Sequence, residues 1–382
     1  MRRRFTPLNP PPALALTQGV SRFRLLRLIA VAGLLLICGL QIILVIRYAA
    51  EVLPLGGDAR SYIAAARAII HGQAPIGANV TSFLPEAGPD IPVYLYPPFL
   101  ALLLVPLGLL PYSTALIIWL VVVLVATLAL IPLLRPLVGW AAASAGVLFF
   151  LPTWQSLWLG QVNALIAVAL ALALLACLRG QEARAGLSLT IGALLKITPL
   201  IALLVLARRR HWRAVAAAGA TAAVVVVLSL PFVSLEAWYS GSLYALTNTW
   251  TSPLLLSWTA ILRRQPGLVA TAGPLALSAL MLALTLIRSR AGTPLLSLAA
   301  AYILPLLISG IVWQYQALVA LPALAVLWHH STRGRAIAFA TWLAISLLGG
   351  IWQPVTLTLC WVVCCWPQLL GTPDAVPGSE AA

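Results

Sequence analysis

The chain has 382 residues, 62% of them hydrophobic and only 8% charged, with a mean hydropathy of +1.03. Ordinary soluble domains carry about 25% charged residues, so a soluble fold is excluded. The formal net charge of +15 is no nucleic-acid footprint, because the arginines fall in short clusters between apolar runs, the pattern that fixes membrane topology. Apolar runs of about 18 or more residues recur along the chain, and every backbone polar group in lipid must be paired. Long Leu, Ala and Val runs suit helices rather than the alternating strands of a barrel. The expected fold is an all-α polytopic membrane protein with about 10–12 membrane helices of about 20 residues each.

In chain order, residues 1–24 are Arg- and Pro-rich and read as a disordered cytosolic N-terminus. The run Leu28 to Ile46 is long for the apolar core of a signal peptide and reads as an uncleaved first span. It opens a single membrane domain, 25–370, and residues 371–382 read as a disordered cytosolic tail. The stretch 48–96 is then the first outer loop. It contains "LPLGGDARSYIAAARAIIHG", Leu53 to Gly72. Here Asp58 can cap a helix whose apolar face holds Tyr62, Ile63, Ala66, Ile69 and Ile70, and Gly72 can end it. Such an amphipathic helix is expected on the membrane surface. Asp58 reads either as that cap or as a working carboxylate. Next comes "VYLYPPF", with Tyr94 and Tyr96 as interfacial aromatics and proline at a helix start. "WLGQVNAL" places Gln161 and Asn163 at the outer end of a span, where amides bind sugar hydroxyls or join helices.

The clusters Arg179/Arg184, Arg208–Arg210/Arg213, Arg288/Arg290 and Arg333/Arg335 read as cytosolic. The run 185–207 has basic residues at both ends, so it must enter the membrane and return. "LLKITPL" offers the break, because Pro199 cannot donate to the helical ladder. A re-entrant pair of half-helices is expected there. Lys196, the single lysine of the chain, needs a partner or a water-filled cavity at that depth, unless it snorkels from a shallow hairpin. The same parity puts Arg263 and Arg264 outside, against the positive-inside bias, where they suit a lipid phosphate or ordinary headgroups. "WQYQ", Trp313 to Gln316, falls near the outer face, and spans follow near 317–328, 335–350 and 354–370. Of eight acids, Glu182, Asp374 and Glu380 fall on the cytosolic side, leaving Glu51, Asp58, Glu86, Asp90 and Glu236 outside. Asp58 is the best placed for acid–base work, beside Gly56 and Gly57, which allow close approach. Five cysteines lie in apolar runs and read as packing residues. No His, Cys or acid spacing suits a metal.

Taken in order, Gly56-Gly57-Asp58-x-x-x-Tyr62, Tyr96-Pro97-Pro98, Gly160-Gln161-x-Asn163 and Lys196-x-Thr198-Pro199 followed by "RRRHWR" resemble glycosyltransferase family 87 from about residue 50 to 330. The resemblance implies a GT-C fold with re-entrant half-helices and interfacial helices. It implies a lipid-linked donor, polyprenyl-phosphate mannose or similar, used as a substrate with no cofactor; a lone loop Asp without a second nearby acid argues against a bound divalent ion. The reaction implied is inverting transfer to a glycolipid or glycan acceptor at the outer face; the bias toward Arg over Lys and toward Ala and Leu suits a high-GC bacterium, so the plasma membrane is expected. Asp58 matches the base. Lys196, Arg263 and Arg264 are the candidates for the phosphate. Tyr62, Tyr96, Gln161, Asn163, Asn248, Gln314 and Tyr315 are the candidates for substrate contact. Asn248 and Ser252 resemble the family's Asn–Ser–Arg stretch. Many members carry a His where this chain has Trp313 to Gln316, which leaves the donor sugar open. The competing readings are a transporter or lipid flippase without chemistry, and an assembly protein whose polar residues only cap and anchor.

Overall fold

A computed structural model describes residues 54–76, 82–87, 92–240 and 252–371, with scattered positions between 33 and 47. The two expected disordered termini, most of the first span, and Glu51, Asp90 and Asn248 lie outside the described residues.

Among the described residues the chain is helical throughout and forms no strand. α1 (Gly57–Ile70) is the outer-loop helix. Two short turns, α2 (Pro98–Leu103) and α3 (Val105–Gly108), lead into the long α4 (Tyr112–Leu148), which bends at Gly139. α5 (Leu151–Leu159), α6 (Asn163–Leu178), α7 (Glu182–Leu195), α8 (Leu200–Arg208) and α9 (Trp212–Ser229) follow. After them come α10 (Trp258–Arg263), α11 (Leu268–Arg288) and α12 (Pro294–Ile308). A 3₁₀ segment, Gln314–Ala320, leads to α13 (Leu321–His330), α14 (Thr332–Leu347) and α15 (Trp352–Cys365). Three stretches are long and apolar enough to cross a membrane by length and composition: Tyr112–Val138, Trp212–Ser229 and Leu268–Arg288. On α4 the apolar side chains turn both ways. Trp119, Val123, Leu130 and Leu134 are buried, while Ile117, Val121 and Val125 are exposed. Exposed branched aliphatics in a continuous run are what lipid, not water, accepts.

The helix starts are set by local chemistry. Ser257, Thr293 and Ser331 each accept a backbone N–H three residues on, which supplies one of the orphan donors of a first turn. The break expected at Lys196 is present. α7 ends at Leu195, Lys196 is extended, and α8 starts after Pro199. At 1.5 Å per residue the two halves span roughly 21 and 13 Å, against a hydrocarbon core of about 30 Å.

The bundle has two chemically distinct ends. At one, Arg209 donates to the carbonyls of Ser289 and Gly292, Arg290 to that of Arg208, and Arg288 to that of Cys365. His211 pairs with Glu182 there. The clusters that the sequence groups on one side are thus together at one end. At the other end are the starts of α1 and α6, the Lys196 break and the 3₁₀ segment.

α1 differs from the expected one-sided surface helix. Ten of its 14 residues are buried, Ala59, Ser61 and Ala65 as well as the Tyr62–Ile63–Ile69 face. Protein encloses it because α2 to α5 pack around it.

Candidate active site

Asp58 sits in the first turn of α1 but does not cap it. Gly56 is the N-cap, in a left-handed conformation, and no side chain closes the cap. Gly56 N–H donates to Trp158 O at 2.8 Å, so the close backbone approach expected at the glycine pair joins α1 to the end of α5. The Asp58 side chain is left free for other partners. Gln161 Nε2 donates to its Oδ2, and the Tyr315 hydroxyl also hydrogen-bonds to it.

Gln161 is the junction of the site. Its amide oxygen accepts from the hydroxyls of Tyr62 (3.1 Å) and Tyr96 (3.2 Å), which are 3.0 Å from one another. With its oxygen occupied by two phenols, its nitrogen can only face the carboxylate, which fixes the amide orientation. Gly160 positions it. At φ 65° and with a Cβ that would fall 2.7 Å from Ala59 Cβ, this position excludes any other residue. Tyr62 is wrapped by three aromatics in edge-to-face contact, Tyr94, Tyr96 and Trp119. Trp119 Nε1 donates to Gly160 O at 2.6 Å. Burial pushes the Tyr62 and Tyr96 phenols well above their ordinary range, so both stay neutral hydrogen-bond donors.

Burial also pushes the Asp58 carboxyl up, to about 6; the Gln161 hydrogen bond, the Lys196 charge and the Tyr315 hydroxyl oppose that rise. A carboxylate tuned to that range can accept a proton at neutral pH and be useful as a base. Lys196 lies on the other side. Its Nζ is 5.9 Å from the centroid of the Tyr96 ring. With the Gln316 amide turned so that its nitrogen donates to Ile311 O (3.2 Å), its oxygen accepts from Lys196 Nζ at 3.3 Å. Lys196, Gln316, Thr198, Ser309 and Asn163 line a cleft whose other wall is apolar, from Ile166, Leu170, Pro305 and Leu306. Asn163 is wholly buried, and neither end of its amide has a partner. An unpaired buried amide costs about 1–3 kcal/mol.

The two arginines predicted as a pair diverge. Arg264 folds back onto the carbonyls of Ala260 and Leu255. Arg263 lies against Gly310, and its buried Nη1 has no partner. Arg67 anchors α1 to the end of α3 through the carbonyls of Gly108 and Leu110, and to Glu86 of the outer loop. Gln314 is turned away from Asp58. Its amide nitrogen donates to Ile345 O at 2.9 Å. Of the candidates described, Asp58, Tyr62, Tyr96, Gln161, Tyr315 and Lys196 converge on one site, and Asn163 faces the adjoining cleft. Sequence reasoning missed Gln316 and Trp119. The first stands in the same "WQYQ" as Gln314 and Tyr315, and the second is one apolar residue among many in a lipid-length run. Among the described residues no three His, Cys, Asp or Glu side chains come together as a metal site.

The model of glycosyltransferase family 87 matches residues 94–349. A polyprenol-phosphate-mannose-dependent alpha-(1-2)-phosphatidylinositol pentamannoside mannosyltransferase of Mycolicibacterium smegmatis is 28% identical over 289 residues, covering 69% of this chain and 69% of that protein. A Mycobacterium tuberculosis protein of the same description is 27% identical over 290 residues, covering 69% of this chain and 66% of its own length. The match spans about two thirds of the chain and contains every element that surrounds the Asp58 carboxylate except α1 itself; this membrane protein belongs to glycosyltransferase family 87 and is a glycosyltransferase.

Proposed function

We propose that the chain moves a mannosyl group from polyprenyl-phosphate mannose to a hydroxyl of a glycolipid or glycan acceptor, with inversion, at the outer face of the plasma membrane. The observation that carries this reading is the convergence of Asp58 and Lys196, the chain's single lysine, through Gln161, Tyr96, Tyr315 and Gln316. The named activity of the two mycobacterial relatives supports the donor.

In this mechanism the acceptor oxygen attacks the anomeric carbon, and the bond from that carbon to the phosphate oxygen breaks. Asp58 takes the acceptor proton as general base. Gln161 and Tyr315 hold the carboxylate in place. The lipid phosphate leaves with the bonding electron pair, and Lys196 and Arg263 stabilise its charge. Arg264 braces the turn that presents Arg263. Asn163 offers its unpaired amide to the donor headgroup, and the apolar wall of the cleft takes the first isoprene units. Tyr62 and Tyr96 act through Gln161. Asn248 stands as a further sugar contact on the family pattern.

Topology follows from the two ends. The arginine end faces the cytosol with the N-terminus, and the Asp58 end faces outside. Neither α7 nor α8 is long enough to cross, so they form the re-entrant hairpin, and α1 lies in the outer interfacial layer. No cofactor enters; the lipid-linked sugar is a substrate.

The test is transfer of radiolabelled mannose from polyprenyl-phosphate mannose in membranes containing equal amounts of wild type or Asp58→Asn, with a mixed lipid acceptor extract. Label in a new product with wild type alone is expected. Equal transfer by a well-folded Asp58→Asn variant would sink the assignment of the base. Movement of lipid across liposomes without transfer would favour a flippase instead.

A further inference from the structure

The arginine end holds more charge than its helix junctions use. α8 ends at Arg208, and the chain passes through Arg209 and Arg210 into α9. Arg209 serves structure, donating to the carbonyls of Ser289 and Gly292. Arg290 Nε donates to Arg208 O at 2.9 Å. These bonds draw the ends of α8 and α11 together, and they bring the Arg290 guanidinium within the field of those of Arg208 and Arg210. All three residues are exposed. Among the described residues neither Arg208 nor Arg210 pairs with an acid, and Glu182, at the same end, is engaged by His211.

Arg210 is singular in a second way. With φ 64° it is the one non-glycine residue in the left-handed region among those described. It closes α8 as a glycine usually does: its N–H donates to Ala207 O, and the His211 N–H donates to Leu206 O. Glycine would take this conformation without strain. The positive-inside bias accounts for arginine at this end. It does not call for one at the strained position, nor for three guanidiniums held together by backbone bonds. A strained residue whose guanidinium makes no hydrogen bond among the described residues points to a contact outside the chain.

The surroundings decide the kind of anion. Leu200 and Leu204 precede Arg208 at intervals of four, so they share its face of α8, and both are exposed. Trp212, also exposed, is the first residue of α9, a helix of membrane length; tryptophan there marks the headgroup level. An apolar stripe running into guanidiniums has the layout of a phospholipid, with acyl chain and phosphate in that order. A soluble anion would use the arginines and leave the stripe bare.

We infer that Arg208, Arg210 and Arg290 bind the headgroup phosphate of an anionic phospholipid, one acyl chain of which lies along Leu200 and Leu204. The topology proposed above places this lipid in the cytosolic leaflet. The site stands apart from the Asp58 centre, and its test does not depend on which reaction that centre catalyses. The lipid relieves the repulsion among the three cations and steadies the base of the half-helix whose other end meets the Lys196 break.

The experiment is native mass spectrometry of the full chain in detergent, titrated with dioleoyl-phosphatidylglycerol, with dioleoyl-phosphatidylcholine and inorganic phosphate as controls. Wild type is expected to bind the anionic lipid at least about tenfold more tightly than the zwitterionic one, and Arg208→Gln and Arg210→Gly are each expected to weaken it about fivefold. Arg210→Gly also relieves the strained backbone, so without added lipid its Tm should equal or exceed that of wild type. Arg333→Gln removes an equal charge at the same end and should change binding less than twofold. Equal affinity of wild type for the two lipids would overturn the inference. So would Arg210→Gly binding phosphatidylglycerol as tightly as wild type, or Arg333→Gln weakening it as much as Arg210→Gly, which would mean diffuse charge instead of a site. Displacement of the lipid by an equal concentration of inorganic phosphate would assign the arginines to a free anion and overturn the lipid reading.

Discussion

The arginine end and the Asp58 end of this bundle handle charge in opposite ways. At the arginine end, Arg209, Arg288 and Arg290 are held by backbone carbonyls at helix termini, with acids almost absent. Their charge offsets the negative ends of the helix dipoles and holds the helix ends together. Within the Asp58 site itself one carboxylate and one ammonium meet, and the groups bonded to them are neutral: the Gln161 and Gln316 amides and three phenols. Neutral donors orient a charge without cancelling it. A guanidinium on Asp58 would hold it ionised but too weak a base to take a proton. The arginine end uses charge to hold helix ends together, whereas the proposed function leaves the Asp58 and Lys196 charges available for chemistry.

Variants can break this contrast, beginning with Asp58→Asn above, whose loss is expected to be at least about 100-fold, the usual worth of a positioned general base. Lys196→Met is expected to cost about 100-fold in kcat, as removal of a preorganised group facing developing charge does. A folded variant with near wild-type turnover would move the phosphate site elsewhere.

The pH dependence sharpens the same point. Asp58 is raised to about 6 by burial, and as the proposed base it must be ionised to act. Log kcat/KM should therefore climb with pH up to about 6. Gln161 and Lys196 both favour the ionised form, so losing either moves that limb to higher pH. Gln161→Leu is expected to lower kcat/KM about tenfold at neutral pH, with the limb displaced upward. A rate loss without displacement would mean that Gln161 only packs.

At the arginine end the expected signs reverse. Arg209→Met should leave kcat and both KM values within twofold and lower stability by about 1–3 kcal/mol, read as a lower Tm in detergent, because charge-assisted hydrogen bonds to Gly292 and Ser297 are lost. The smallest effects belong to Arg264→Ala, within about 0.5 kcal/mol as for exposed positions generally. Arg263→Ala should raise donor KM about tenfold. Equal behaviour of the two would contradict their divergence.

Much of this arrangement was legible in the sequence, for physical reasons. The arginine clusters announce their end because unpaired charge is expelled from lipid. Lys196 with Pro199 announces a break because proline cannot continue the ladder. Asp58 and Tyr62 share a face because they are one helical turn apart. Other features were not legible. A reading of Asp58 as the cap was reasonable until the left-handed Gly56 took that place, and φ is not written in a glycine. Gln155 and Gln353 sit in apolar runs where an amide commonly joins helices, and only packing reveals that the Gln155 amide oxygen and both ends of the Gln353 amide lack partners. Arg263 and Arg264 are equivalent as letters. On a helix successive residues differ by about 100°, which sends one toward Gly310 and the other back to its own carbonyls.

The segment Gln314–Ala320 is a 3₁₀ helix, with three residues per turn. Successive side chains therefore leave its axis about 120° apart, and three neighbours in the sequence can face three separate places. Gln314 goes to Gln155 and Ile345, Tyr315 to Asp58, and Gln316 to Lys196. Such a segment tolerates exchange of any one letter at the expense of one direction. Deleting a single residue would instead pass each assignment to its neighbour and misdirect all three together.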